Sequence, residues 1–335
     1  MSYFEKYQKY KLKYLDLQNQ YKIMLNGGND SNKTIISLIC THSARLRCLM
    51  TDIAREEIDV IQKKVGVKEI RFKNVSISKM VVNKTGATLE MVFSGLISKE
   101  NRKGVYFTTG KDTDKNYMEG DVLFPSLKIS LDKLSLTDKI IGEKTYIFYI
   151  IRHGEGIHNE AKAQEKIAAF VKGLVTTKEN EFTDAPLTNK GNNDAKEAGK
   201  ILKELFGVKN IDYIFSSKLR RTRQTLKNIL EYFSTANLPG KIIVLPCSDE
   251  LHYRKEGKCD ANLPLITNPE NIQKCYDKQK KVGLDKEDCS SITISSIGLS
   301  MIVDWNKFTA FDNNKKCSNT NMIKEAIEII NNDKK

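Results

Sequence analysis

The chain has 335 residues, 40% of them hydrophobic, and carries 55 Lys and Arg against 42 Asp and Glu, a formal net charge of +13. That much apolar content supplies a sizeable core and excludes a chain disordered throughout. No apolar run reaches the ~18 residues of a membrane span, and the polar N-terminus is not a secretory signal. The lysines are scattered, with no basic stripe interleaved with aromatics, so no specific nucleic-acid partner is expected; an anionic small substrate fits the same charge. The seven cysteines are odd in number and form no CxxC pair. They indicate neither a zinc knuckle nor a disulfide framework, and reduced thiols in the cytoplasm are the expectation.

In chain order, residues 1–25 lack Gly and Pro and place apolar or aromatic side chains at 4, 7, 10, 14, 17 and 21. These spacings predict an amphipathic helix, broken by the run NGGNDSN at 26–32. Thr34–Thr41 is a continuous apolar run, as in a central parallel strand. Ser43–Gly66 reads as a helix. Ile70–Val82 and Ala87–Ile97 read as strands joined by the turn NKTG. Residues 98–144 are rich in Lys, Asp and Gly and read as a connector with a hairpin, or as an insertion. Tyr146–Ile151 is a second apolar strand. A helix over Asn192–Phe206 stops at Gly207. A strand at 211–217, a helix at Leu219–Phe233 and a strand at 241–246 follow. Residues 254–298 are irregular, and 319–331 form the last helix. Strands alternating with helices predict a layered α/β fold with a mostly parallel sheet.

The stretch YIIRHGEGIHN (149–159) puts Arg152, His153 and Gly154 at the C-terminal end of a predicted strand, where open parallel sheets bind ligands. A histidine nitrogen can attack phosphorus and hold the phosphoryl group covalently. An adjacent arginine can clamp phosphate oxygens, a glycine lets the backbone come close, and Asn159 adds a neutral donor. An ordinary strand end with a chance Arg-His-Gly is the competing reading of the tripeptide alone. Two further stretches follow it, DAPLTNKG (184–191) and SSKLRRTRQT (216–225).

Together the three stretches resemble the histidine phosphatase superfamily, which includes the cofactor-dependent phosphoglycerate mutases. The matching positions are Arg152, His153, Gly154, Glu155 and Asn159, then Asp184, Leu187, Thr188 and Gly191, then Ser217, Leu219, Arg221 and Thr225. The resemblance covers about 146–250. It implies that His153 is the phosphorylated nucleophile and that Arg152 and Arg221 clamp phosphate, assisted by Asn159. Arg220 and Arg223 are then expected on the surface of the helix. It also calls for a carboxylic acid that protonates the leaving group, with a pKa lifted toward the working pH. In CSDELHYRKEG (247–257) the run ELHY is similar to the mutase run Glu-Arg-His-Tyr, which makes Glu250 the candidate. Leu251 stands where mutases carry a substrate-binding arginine. A second register puts Tyr253 at the acid position and leaves His252 or Glu256 as stand-ins.

The family also uses a second histidine, late in its sequence, after another central strand. Beyond Glu250 this chain offers only His252, which follows no strand. TIISLICTHSARLRC (34–48), by contrast, is an apolar strand, then His42, then arginines. It resembles the second-histidine segment, and the strand pair after it resembles the pair that closes family members. The resemblance therefore implies a circular permutation that brings His42 to the site; the bland alternative is a histidine capping a buried strand. The helix at 1–25 resembles the openings of giant DNA virus proteins and is a candidate for self-association.

The resulting expectation is a three-layer α/β/α, phosphoglycerate mutase-like, circularly permuted fold. A helical extension occupies 1–30. One domain fills 31–335: the second-histidine half at 31–97, a connector at 98–144, and an Arg-His-Gly half at 145–335 whose lid is 254–298. The implied activity is a phosphomonoester phosphatase acting through phosphohistidine on a phosphorylated small molecule or phosphoprotein, without metal or cofactor. It would act in the cytoplasm, or, for a viral protein, in host cytoplasm or virion. A mutase-type phosphotransferase and a catalytically silent scaffold of the same fold are the alternatives.

Overall fold

The computed structural model describes residues 33–43, 45–46, 49–50, 53, 69–70, 72–93, 107–108, 127–140, 142–157, 186–206, 209–248, 250–253, 259–262, 291–294, 298–304 and 321–333. The expected N-terminal helix, Asn159, Asp184 and Glu256 lie outside them. The strands are β1 (Thr34–Thr41), β2 (Glu69–Ile70), β3 (Ile77–Asn83), β4 (Gly86–Phe93), β5 (Phe107–Thr108), β6 (Leu127–Ile129), β7 (Thr145–Arg152), β8 (Tyr213–Ser216), β9 (Lys241–Val244), β10 (Leu251–Tyr253), β11 (Cys259–Asn262), β12 (Ser291–Ile294) and β13 (Leu299–Asp304). The longer helices are α1 (Asn189–Phe206), α2 (Arg220–Leu230) and α3 (Asn321–Asn332).

Nine strands form one sheet in the order β12-β13-β9-β8-β1-β7-β3-β4-β6. Its centre is parallel: β1 pairs with both β7 and β8, β8 with β9, and β9 with β13. The apolar run at 34–41 is therefore the middle of the sheet, as its near-continuous hydrophobicity requires. Its side chains alternate between two cores. Ile35 and Ile39 join a cluster that includes Met322, Ile323 and Ile327 of α3. Ile36, Leu38 and Cys40 face Ala195, Ala198 and Leu202 of α1 and Leu226 and Ile229 of α2. Helices thus cover both faces, giving three layers. No helix among the described residues is long and apolar enough to cross a membrane.

Several boundaries differ from the sequence reading for local reasons. The predicted strand 70–82 is two pieces, because a turn at Asn74–Val75 interrupts it and Val75 takes a φ of +54°. Residues 98–144 contain more than a connector: β6 extends the sheet by pairing with β4. Residues 254–298 are not wholly a lid either. β12, at 291–294, pairs antiparallel with β13 and lies in the main sheet. Its burial at Ile292 and Ile294 is core packing that short, Lys-rich surroundings hide. Helix α1 begins three residues before its predicted start, because the Thr188 hydroxyl accepts the Gly191 N–H and its carbonyl accepts the Asn192 N–H. The thiols are not all reduced: Cys40 is free and buried, whereas Cys247 is disulfide-bonded. Disulfide pairing follows Cα proximity in the fold, which cysteine spacing does not reveal.

The two ends of the described domain meet at one end of the sheet. The Thr145 N–H donates to the Lys33 carbonyl (3.1 Å). Asn331 of α3 accepts the Tyr146 hydroxyl (2.6 Å) and the Lys144 ammonium (3.5 Å). Asp333 accepts the Tyr213 hydroxyl (3.0 Å), and Tyr213 is paired with Ser37 of β1.

Candidate active site

Strand register creates the site. Thr41 lies opposite Arg152, and Cys40 opposite Ser216. The residues that follow, His42, His153 and Ser217, therefore leave three adjacent parallel strands at the same C-terminal edge. The ladder continues into them: the His153 N–H donates to the Thr41 carbonyl and the Ser217 N–H to the Cys40 carbonyl, each at 3.0 Å. The two imidazoles face each other with ring centroids 4.9 Å apart and planes tilted by 59°. A separation beyond about 10 Å, too long for shared hydrogen bonds to one phosphate, would have removed His42 from the site.

Arg221, in the first turn of α2, reaches into the same space. Its Nε donates to His153 Nε2 (3.2 Å), and its Nη2 donates to Glu250 Oε2 (3.0 Å) and lies 3.3 Å from His42 Nδ1. Glu250 Oε2 is also 3.0 Å from His42 Nδ1, and its side chain is 22% exposed, so the pocket opens beside it. His153 Nδ1 lies 2.6 Å from the Gly154 carbonyl. A carbonyl only accepts, so Nδ1 carries the proton and the Nε2 lone pair points at Arg221. That is the nitrogen a nucleophile must present. Arg152 donates through Nη1 to the Phe72 carbonyl, and its charge acts on His153.

The loop after β7 is held by close backbone packing. The Gly154 N–H donates to the Thr225 hydroxyl, which itself donates to the Arg221 carbonyl, tying the nucleophile loop to the arginine helix. The Thr188 N–H donates to the Glu155 carbonyl (2.8 Å). A Cβ on Gly191 would stand 2.2 Å from that same carbonyl oxygen, so only glycine fits there. The stretch around Leu187–Gly191 is thus a clasp for the loop.

Burial pushes the His153 pKa well below its ordinary 6.5, and the charges of Arg221, His42 and Arg152 push in the same direction. The ring is neutral at physiological pH. For Glu250, burial alone would raise the pKa, but His42, by charge and hydrogen bond, and Arg221 bring it well below the ordinary 4.5. This corrects the expectation of a carboxyl lifted toward neutrality. His42 and Arg221 together outweigh desolvation and keep Glu250 ionised. A second correction concerns Arg220 and Arg223, expected on the surface: both are buried, Arg223 with its Nε donating to the Lys218 carbonyl. Their helix packs its N-terminal turn against the sheet edge, which a helical periodicity cannot disclose. Of the alternative acids, His252 falls in β10, whose side chains lie outside the described ones.

His153 and Glu250 both make the fold acid-sensitive, in successive windows. His153 is neutral when folded, so the unfolded chain binds the extra proton as pH falls below about 6.5, and stability declines from there. Glu250 contributes fully above its unfolded pKa, and that contribution is lost as pH falls through its lower folded pKa. Urea midpoints measured against pH should therefore drop in two stages. His153→Gln is expected to flatten the upper stage and Glu250→Gln the lower; a His153→Gln curve as steep as wild type near 6.5 contradicts the assignment.

In the sequence Ser217 and Thr225 are motif positions without an assigned role. Ser217 Oγ is 2.9 Å from His42 Nε2 and accepts the Leu219 N–H. One ligand atom each from His42, His153 and Glu250 lies within 4.8 Å of the others, a set that could hold a metal ion. Arg221 contacts all three, and a cation entering there would meet its charge.

Residues 148–255 match the family model of the histidine phosphatase superfamily (branch 1). Over those residues the chain is similar to that superfamily, and its three-layer sheet is consistent with an α/β, phosphoglycerate mutase-like fold. A 2,3-bisphosphoglycerate-dependent phosphoglycerate mutase of Buchnera aphidicola subsp. Baizongia pistaciae (strain Bp) is 33% identical over 101 residues, 29% of this chain. The match spans 35% of that mutase, about a third of its length. No solved structure matches significantly. The strand carrying His42 lies outside the matched segment.

Proposed function

We propose that the protein is a phosphomonoester phosphatase that works through phosphohistidine at His153. The observation that carries this reading is the meeting of His153 Nε2, His42, Arg221 and Glu250 in one pocket at the ends of β1, β7 and β8. His153 Nε2 would attack phosphorus in line with the ester oxygen. Arg221 and His42 would balance the charge on the phosphoryl oxygens, the role that metal ions take in other phosphoryl transfers. Glu250, at the open side, would protonate the departing oxygen and then activate water. A panel of phosphomonoesters, with acid quenching to trap acid-labile phosphoprotein, tests this. Hydrolysis without any trappable phosphohistidine would refute the mechanism. A phosphotransferase is the second reading, favoured by the mutase among the relatives; Leu251, in place of the mutase arginine, speaks for water as acceptor. Transfer of the label to a second phosphorylated metabolite rather than to water would decide for it.

We further propose that the chain is a circular permutant of the family order. The support is that Lys33 and Asn331 both bond to residues 144–146, so a short link could join them. Such rewiring is tolerated when termini lie close at the surface. A variant joining 333 to 33 by a short linker and opened between 94 and 126 restores the family order. It should fold cooperatively and bind inorganic phosphate as the parent does. Failure to fold, with the parent stable under the same conditions, would count against the permutation.

A further inference from the structure

We propose that His42 stores the proton that Glu250 hands to the leaving group, and that Ser217 determines which ring nitrogen releases it. The inference rests on the phosphatase reading and concerns the source of the acid. A general acid must be protonated when the ester bond breaks. Glu250 is not, because the charges beside it keep it ionised. The proton has to come from a neighbour. His42 Nδ1 is 3.0 Å from Glu250 Oε2 and 3.3 Å from Arg221 Nη2; in the relay Nδ1 carries a proton aimed at the nearer carboxylate oxygen, which only accepts, and Arg221 meets it through charge alone.

The other side of the ring decides whether that proton can leave. An imidazole that gives up its Nδ1 proton stays neutral only if Nε2 keeps its own. Nε2 is 2.9 Å from Ser217 Oγ, a buried hydroxyl whose oxygen already accepts the Leu219 N–H. An oxygen with two lone pairs can take a second donor, and Nε2–H fills that place before and after transfer. Ser217 thus acts as a positioning residue. His42 cycles between imidazolium and the Nε2–H tautomer without turning. The charged groups that face it are Glu250, which favours the imidazolium, and Arg221, which opposes it; the neutral His153 ring faces it as well.

Substrate supplies the trigger. A phosphate dianion engages Arg221 and places negative charge beside Glu250, which raises the carboxylate's affinity for a proton. As the ester P–O bond breaks and Nε2–P forms at His153, the leaving oxygen takes the proton from Glu250. Glu250 takes the Nδ1 proton from His42, and His42 is left neutral. When water attacks the phosphohistidine, its proton passes to Glu250 and back to His42 Nδ1, and the P–N bond breaks. Protons and charge balance over the cycle.

Two measurements on the full chain test this. In ¹⁵N-histidine NMR near neutral pH, with His42→Gln used to assign the signal, wild-type His42 should carry both protons, and Glu250→Gln should lower its protonation. A neutral His42 in the wild type overturns the relay whatever the activity. Kinetically, an alkyl phosphate needs the acid and p-nitrophenyl phosphate, with its better leaving group, hardly does. His42→Gln and Glu250→Gln should each cost on the order of 10²-fold more on the alkyl ester. Ser217→Ala should show the same selectivity in weaker form. Equal losses on both esters in His42→Gln overturn the relay and leave the phosphatase reading standing. A wild type that hydrolyses neither ester overturns both.

Discussion

His153→Ala is expected to abolish trappable phosphoprotein and to lower turnover by on the order of 10⁴-fold or more, as for other covalent nucleophiles. The expectation rests on the tautomer. With Nδ1 committed to the Gly154 carbonyl, Nε2 is the lone pair available to phosphorus, and alanine removes it. Burial and the surrounding cations keep the ring neutral, so the lone pair exists throughout the physiological range. His153→Asn serves as a control, because it retains polarity without a nucleophile of this kind. It should be as inactive as alanine while folding normally in circular dichroism. Hydrolysis by His153→Ala at the wild-type rate would exclude phosphohistidine at this position, whatever the fold.

Arg221→Ala should produce the second largest effect. One guanidinium touches His153, His42 and Glu250, at 3.2, 3.3 and 3.0 Å. Removing a preorganised charge aimed at developing negative oxygens costs about 10²–10³-fold in kcat. Here the loss should also appear as weaker inorganic phosphate binding by calorimetry, since the same cation meets the ground-state dianion. Arg221→Lys should recover only part of it. An ammonium is a point charge and cannot reach three partners in a fixed fork. Wild-type kcat/KM in Arg221→Lys would mean that Arg221 supplies only net charge. Phosphate affinity unchanged in Arg221→Ala would move the clamp to other residues.

The disulfide at Cys247 and the carboxylate at Glu250 lie on one short segment. Two long-range bonds hold it: the Thr41 hydroxyl donates to the Ser248 carbonyl (2.5 Å), and the Cys247 N–H donates to Glu325 of α3 (3.4 Å). The residue before the second histidine thus fixes the segment that presents the acid. This explains how a side chain two positions beyond Ser248 arrives 3.0 Å from His42 although 207 residues separate Thr41 from Ser248.

Much of this was legible in the amino-acid order. The apolar run at 34–41 has the hydrophobicity of a strand buried on both faces, and burial on both faces requires the middle of a sheet. The alternation of strands and helices determined the layered class. The Arg-His-Gly, Leu-Thr and Ser-x-Leu-x-Arg stretches singled out His153, the Leu187–Gly191 clasp and Arg221 for the proposed chemistry, because each proposed role needs that residue type at the end of an element. What only the tertiary structure decided is everything that depends on register and local charge. Whether His42 meets His153 depends on β1 pairing in parallel with β7 so that Thr41 lies opposite Arg152, and pairing between distant strands leaves no local trace. The burial of Arg220 and Arg223 depends on how α2 docks, not on its period. The ionisation of Glu250 depends on Arg221 and His42, each brought to 3.0 Å by a separate element, and Coulomb energy follows distance in space rather than position along the chain.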